Sequence, residues 1–205
     1  MENVKNFWKT KIPRIKGFRE NGVALIIVIL VLAFLLSVGI ALITVVGAGS
    51  KVAGNIRNQG QAFNAAEAGF DAAWIAVEDF FADEVWTSFD GHYLKEPTGI
   101  DIPYDQNYFR KLTDLEILNL LDQNGDGFPD YDNVIFFKQP FIRTSEGTLD
   151  SRFTYTAFLI DDEAGAGLSD PGDVLLICIG TVGRGSDIIT SRLEIGLAVE
   201  LESIK

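Results

Sequence analysis

Oxygen-bearing side chains are regularly spaced in one short acidic segment of this chain, DQNGDGFPD, which spans Asp122–Asp130. Carboxylate and amide oxygens alternate along it, and the glycine at position 127 allows a sharp turn. This spacing wraps the side chains around one hard cation, to which a backbone carbonyl adds a further oxygen. The predicted Ca²⁺ ligands are Asp122, Asn124, Asp126, the carbonyl of Phe128, and Asp130.

The kind of cation follows from the donor atoms. An all-oxygen set without a nearby His or Cys favours calcium over magnesium and zinc. An EF-hand would place an acidic residue where Asn133 stands, so the spacing is closer to the calcium loops of dockerin-like and thrombospondin-type repeats. We expect a structural ion, because clustered carboxylates repel one another without one. The alternative is an acidic surface turn that binds no ion.

A second acidic stretch, between Asp161 and Asp173, lacks regular ligand spacing. We expect a solvated loop in this stretch, with a second calcium ion as the alternative.

No group of residues predicts catalysis. Cys178 is the only cysteine and His92 the only histidine, so neither an intrachain disulfide nor a thiolate metal cluster is possible. Cys178 lies in the apolar run VLLICIG, which predicts a buried thiol, and His92 lies in a polar turn without a nucleophile motif. The glycines of GTVGRG follow no βαβ pattern, which excludes a phosphate-binding loop. We therefore expect a protein that is not an enzyme.

Charge is distributed unevenly along the chain. Residues 1–22 carry six basic and two acidic side chains, a net charge of +4, whereas the whole chain has −12. The difference leaves −16 for the residues that follow. So acidic a domain repels phosphates, and no nucleic-acid partner is expected.

An uncharged apolar run, residues 23–46, follows the basic leader. As a helix it would be about 36 Å long, enough to cross a hydrocarbon core of about 30 Å. The preceding basic residues predict a cytoplasmic N-terminus. The run is longer than the core of a secretory signal, about 7–15 residues, although cleavage in VVGAGSKVAG is an open alternative.

The helix is predicted to continue past the apolar run. Ile56, Phe63, Phe70 and Val77 recur every seven residues, and no proline interrupts residues 51–81. The second position of the same apolar seam is taken by Ala66, Ala73 and Phe80. This pattern indicates an amphipathic second half that the domain following it must cover.

The leader ending at Gly22, the segment VALIIVILVL and the segment AFNAAEAGFDAAW resemble the N-terminal region of PilX-type minor pilins and K-type minor pseudopilins, over about residues 17–80. The resemblance implies that prepilin peptidase cuts between Gly22 and Val23 and methylates Val23. It also implies an anchor in the inner membrane that later packs among other pilin or pseudopilin subunits.

One position departs from most of that family. Counted from Val23, the fifth position is Ile27, where most pilins have a glutamate that neutralises a neighbour's terminal amine. PilX-type and K-type subunits commonly lack this glutamate. The departure argues for a minor subunit that primes or caps a filament.

The predicted fold class is α+β and type IV pilin-like, with the long N-terminal helix packed on a C-terminal antiparallel β-sheet. We divide the chain into a cytoplasmic leader (1–22), a transmembrane half (23–47), an amphipathic half (48–82) and an extracytoplasmic domain (83–205). An irregular surface connection is expected after the helix. The further predicted elements are a helix at 113–121, capped by Thr113 with Glu116, and strands at 134–138, 152–160, 174–181 and 190–201.

Two functions remain open from the sequence. The first is a structural minor pilin or pseudopilin of a type IV pilus or a type II secretion filament, with a structural calcium site. The second is a membrane-tethered extracytoplasmic calcium-binding adhesin or sensor that joins no filament. Cleavage after Gly22 distinguishes them.

Overall fold

The computed structural model describes residues 20–161, 172–185 and 187–198. The leader up to residue 19, most of the second acidic stretch and the predicted strand end at 199–201 lie outside the described residues. The elements are α1 (Glu20–Ala82), α2 (Asp114–Leu121), β1 (Val134–Pro140), β2 (Phe153–Ile160), β3 (Asp173–Val182) and β4 (Ile189–Ala198). The chain divides into two compact units, residues 1–52 and 53–205, and α1 has residues in both.

In the first unit, the described residues form the apolar part of α1. The large apolar side chains between Val23 and Val46 are all solvent-exposed, from 40 % at Val38 to 74 % at Ile43. The hydroxyls of Ser37 and Thr44 donate to backbone carbonyls one turn earlier. These hydrogen bonds leave the helix surface apolar on all sides.

The second unit contains the sheet, whose strand order is β1-β2-β3-β4 with every neighbouring pair antiparallel. The register is regular from β2 to β4 and shifts twice between β1 and β2. The predicted α+β fold, a long N-terminal helix on an antiparallel sheet, is thus confirmed.

One face of the sheet is covered by the second half of α1. Small side chains make this contact possible, because Ala62, Ala65 and Ala66 are fully buried and lie against Gly180 of β3. Further along α1, Gly69 lies against Tyr155 of β2. The predicted seam is partly correct: its members Ala66, Ala73 and Val77 are buried, but Ile56 and Phe63 are 68 % and 43 % exposed. Alanines, and not the large side chains, form most of the buried stripe.

The opposite face of the sheet is covered by α2 and by the connection that precedes it. Thr113 caps α2, and its side chain and that of Glu116 bond reciprocally to each other's backbone N–H, as predicted. The connection was expected to cross the surface, but it supplies a second core. Its fully or nearly fully buried side chains include Leu94, Ile100, Tyr108 and Phe109. Its aromatic and aliphatic residues cover the second face of β2 and β3, which would otherwise be apolar and exposed.

Candidate functional site

The predicted processing site, Gly22 and Val23, lies in the first turns of α1. Val23 opens a helical segment whose most apolar 18-residue window has a mean hydropathy of 3.3 and no residue buried by the rest of the described chain. By length and composition this helix fits a single-pass membrane anchor.

The side chain at the fifth position after the predicted cut is apolar and exposed. Ile27 is 54 % exposed and belongs to the same continuous apolar surface as its neighbours. A carboxylate at this position would be available to a neighbouring amine, whereas an isoleucine offers only apolar contact. Farther along the helix, a Cβ added at Gly39 or Gly47 would have no atom within 4 Å. These positions are therefore open to close approach by another helix.

The segment Asp122–Asp130 forms a loop that begins at the last turn of α2. The Asn124 side-chain oxygen accepts from the backbone N–H of Asp126 at 2.8 Å, and an Asp126 carboxylate oxygen accepts from the N–H of Phe128 at 2.8 Å. The Asp130 carboxylate closes the loop: it accepts from the Asn124 amide at 2.8 Å and from the N–H of Gln123 at 2.7 Å. All four predicted side-chain ligands thus belong to one local hydrogen-bonded loop.

The carboxylate of Asp122 is the most buried of the four ligand side chains and is paired with a cation from the sheet. The Nζ of Lys138 lies 2.6 Å from Asp122 Oδ2, and the Asp122 side chain is only 3 % exposed. The hydrogen bond from Lys138 lowers the pKa of Asp122 below its usual value. Lys138 has a positive φ of 44° and lies at the register shift of β1, which turns it toward the loop.

The donor chemistry of this loop fits calcium, but the carboxylates are held by internal partners. Within the described residues, no three acidic, His or Cys side chains are gathered as a metal-binding group. Asp122 contacts Lys138 and the N–H of Gly127, and the Asn124 amide nitrogen contacts Asp130. Calcium would have to exchange with these partners. Of the second acidic stretch, Asp161 is buried and the central residues lie outside the described part.

Cys178 and His92 have no catalytic neighbourhood among the described residues. Cys178 is fully buried in the core between α1 and the sheet, as predicted, and burial raises the pKa of its thiol to about 12. The His92 ring stacks on Trp86 with their centroids 4.2 Å apart, and burial lowers its pKa. Both residues serve packing in this structure.

The N-terminal helix is also the part of the chain that can be compared with known proteins. Residues 21–71 match the PilX N-terminal family. This match confirms the resemblance to a PilX-type minor pilin and supports a minor pilin related to the type IV pilus. It suggests a structural role for the chain and interaction with other pilus subunits. No curated protein and no solved structure matches the chain.

Two features of the structure were not predicted from the sequence. Lys138 is sixteen positions from Asp122, and only the fold brings the two together. A cavity beside α2 is lined by residues from five separate segments, so no local spacing announces it.

Proposed function

We propose that this protein is a minor pilin or pseudopilin that primes or caps a type IV pilus or type II secretion filament. The observation that carries the proposal is the match of residues 21–71 to the PilX N-terminal family, on a helix whose side chains from Val23 to Val46 are exposed and apolar.

The physical argument is that one helix suits two surroundings. An α-helix satisfies its own backbone hydrogen bonds, so it is stable in lipid and among other apolar helices. The uncovered surface of residues 23–46 requires one of these surroundings. We propose that the inner membrane is the first, and that prepilin peptidase cuts between Gly22 and Val23 while the helix is held there. The packed helices of the other filament subunits are the second.

Ile27 supports the role of a minor subunit and not that of the major subunit, which is added repeatedly along the filament. A buried carboxylate without its partner is costly, so a glutamate–amine pair enforces the register of repeated addition. A subunit with isoleucine at this position cannot form that pair with a neighbour, which suits one placed at a filament end.

We further propose that the Asp122–Asp130 loop binds one structural calcium ion. The support is the oxygen donor set of Asp122, Asn124, Asp126 and Asp130, with the carbonyl of Phe128. In this proposal, the ion takes Asp122 from Lys138 and holds the loop against the end of α2. Calcium would also neutralise part of the negative charge of the three carboxylates in this loop.

Recovery in sheared filaments tests the filament role. Wild-type chain and the variant Gly22→Val are expressed in cells that contain a prepilin peptidase and the other pilin subunits. We expect wild type in the sheared filament fraction and the variant only in membranes, because a bulky residue blocks cleavage. The matched control, Gly17→Val in the same leader, should behave as wild type.

The alternative is a membrane-tethered calcium-binding adhesin or sensor outside any filament. The exposed acidic loop is what favours it. In that case wild type and Gly22→Val would distribute identically and neither would enter filaments, a result that would overturn the filament proposal while leaving the calcium proposal untouched.

A further inference from the structure

A cavity of about 410 Å³ lies between α2 and the turn that joins β3 to β4, on the sheet face opposite α1. Residues from α2, β1, β2, β3 and the turn line it. No residue of α1 is among its described lining residues, and one of them, Lys138, also contacts Asp122 of the acidic loop.

The charge of this cavity is opposite to that of the chain. Among the described residues, two cations, Lys138 and Arg184, line it and no carboxylate does, although the chain has 29 acidic and 17 basic residues. Lys138 is shared with Asp122, whereas Arg184 is exposed and donates from Nη2 to the Ser151 hydroxyl at 3.0 Å. The nearby carboxylate of Asp150 is held by Arg152 at 2.7 Å. Arg184 acts on the Asp150 carboxylate by charge alone, so within the described residues it has no ion pair that an anion in the cavity would have to break.

Neutral polar groups line the cavity floor. Thr154 and Thr181 are Cα partners across β2 and β3, and Asn119 projects from α2. Within the described part of the chain, none of these three side chains has a hydrogen-bond partner. Thr154 is only 8 % exposed as a residue, and its hydroxyl lies at the cavity surface. The floor thus offers hydrogen bonds to ligand hydroxyl groups.

The cavity wall is apolar. Leu115, Leu118 and Ile188 provide aliphatic surface beside the polar floor. At the rim, Arg184 lies between Gly183 and Gly185, both with positive φ, at 119° and 61°. A Cβ at Gly183 would collide with the carbonyl oxygen of Asp187, so the turn that presents Arg184 requires glycine.

We propose that this cavity binds an acidic sugar, a hexuronate residue of a glycan. Arg184 would hold the carboxylate through its planar guanidinium, and Lys138 would add charge. Thr154, Thr181 and Asn119 would bond ring hydroxyls, and the aliphatic wall would cover the apolar face of the ring. An inorganic anion would contact only the two cations, and a neutral sugar would contact only the neutral polar groups and the aliphatic wall. The inference concerns a surface ligand and is independent of filament assembly.

Ligand-observed saturation-transfer NMR on the full chain in detergent micelles tests the proposal, with glucuronate, glucose and inorganic phosphate as probes. We expect glucuronate to bind, and glucose and phosphate each to bind at least about tenfold more weakly. Glucose lacks the carboxylate that would make charge-assisted hydrogen bonds, and phosphate lacks the ring hydroxyls that would bond the neutral side chains. Arg184→Gln should weaken glucuronate binding about tenfold, and the control Arg143→Gln, an exposed arginine elsewhere, should not.

Three results would overturn the proposal. These are absence of glucuronate binding to wild type, equal binding of phosphate and glucuronate, and equal loss of binding in Arg184→Gln and Arg143→Gln. Thermal melting of both variants shows that any loss reflects the site and not unfolding. Thr181→Val removes a hydroxyl from the cavity floor with little change in side-chain volume. It should weaken the binding of glucuronate and leave the binding of phosphate unchanged.

Discussion

Two carboxylates of this domain are each paired with a cation. Asp122 is neutralised by Lys138 and Asp150 by Arg152, whose guanidinium bonds both carboxylate oxygens at 2.7–3.1 Å. In a chain of net charge −12, such pairs limit repulsion where acidic groups are partly buried. The spacing of the acidic loop was readable from the sequence, but the pairing of Asp122 with Lys138 was not, since Lys138 lies sixteen positions away in β1.

The calcium proposal can be tested at one residue without disturbing the loop. Asp126→Asn keeps an oxygen that accepts from the N–H of Phe128 but removes one negative charge. We expect calcium to raise the melting temperature of wild type, and to raise that of the variant much less. The control Asp132→Asn, just outside the ligand spacing, should respond as wild type.

A chelator then decides between two sources of loop closure. If EDTA leaves the melting temperature of wild type unchanged from its value with calcium, then Lys138 alone closes the loop and the calcium proposal is wrong.

The Asp150–Arg152 pair predicts a dependence of stability on pH. The hydrogen bonds from Arg152 lower the pKa of Asp150 from 3.8 to about 2. Because the folded-state pKa lies below the ordinary value, the pair stabilises the fold above about pH 4, and this contribution disappears as pH falls toward 2. Arg152→Met should therefore melt below wild type at pH 6, and the two should converge near pH 2. The exposed control Arg143→Met should follow wild type throughout, and a constant difference for Arg152→Met would contradict the assignment.

At the scale of elements, the sheet carries two cores, one under α1 and one under α2. The identity of every described helix and strand was predictable, because apolar periodicity and the Thr113–Glu116 capping pair are local signals. The second core was not predictable, since Leu94, Ile100 and Phe109 lie among prolines and glycines that indicate a loop. The seam was predictable at Ala66 and Ala73, which are buried, but not at Ile56 and Phe63, because the close approach of α1 to the sheet admits only small side chains.

Gly180 provides the test of that close approach. A Cβ at this position would collide with the backbone of Ala62 and Ala66, which cannot move without shifting α1. Gly180→Ala should therefore destabilise the fold by about 1–3 kcal/mol, the usual cost of overpacking. Gly196→Ala, on neighbouring β4 with no atom within 4 Å, is the matched control and should change stability by less than about 0.5 kcal/mol. Equal denaturation midpoints for the two variants would show that the helix does not rest on Gly180.

At the scale of the whole molecule, the chain combines a basic leader, an uncovered apolar helix and an acidic domain. The order of these parts was readable from composition and charge alone, and the match of residues 21–71 agrees with it. The cation-lined cavity was not readable, because a cavity assembled from distant segments leaves no local pattern. The filament role depends on the leader's removal, since the charged residues before Val23 could not enter a packed helical core.

Intact-mass spectrometry of the mature protein from its native membrane, with fragmentation of its N-terminal peptide, tests this account most directly. We predict that the chain begins at Val23 and that its terminal amine carries one methyl group. A mature chain that keeps the basic leader, or one cut within VVGAGSKVAG and so released from the apolar helix, would contradict it.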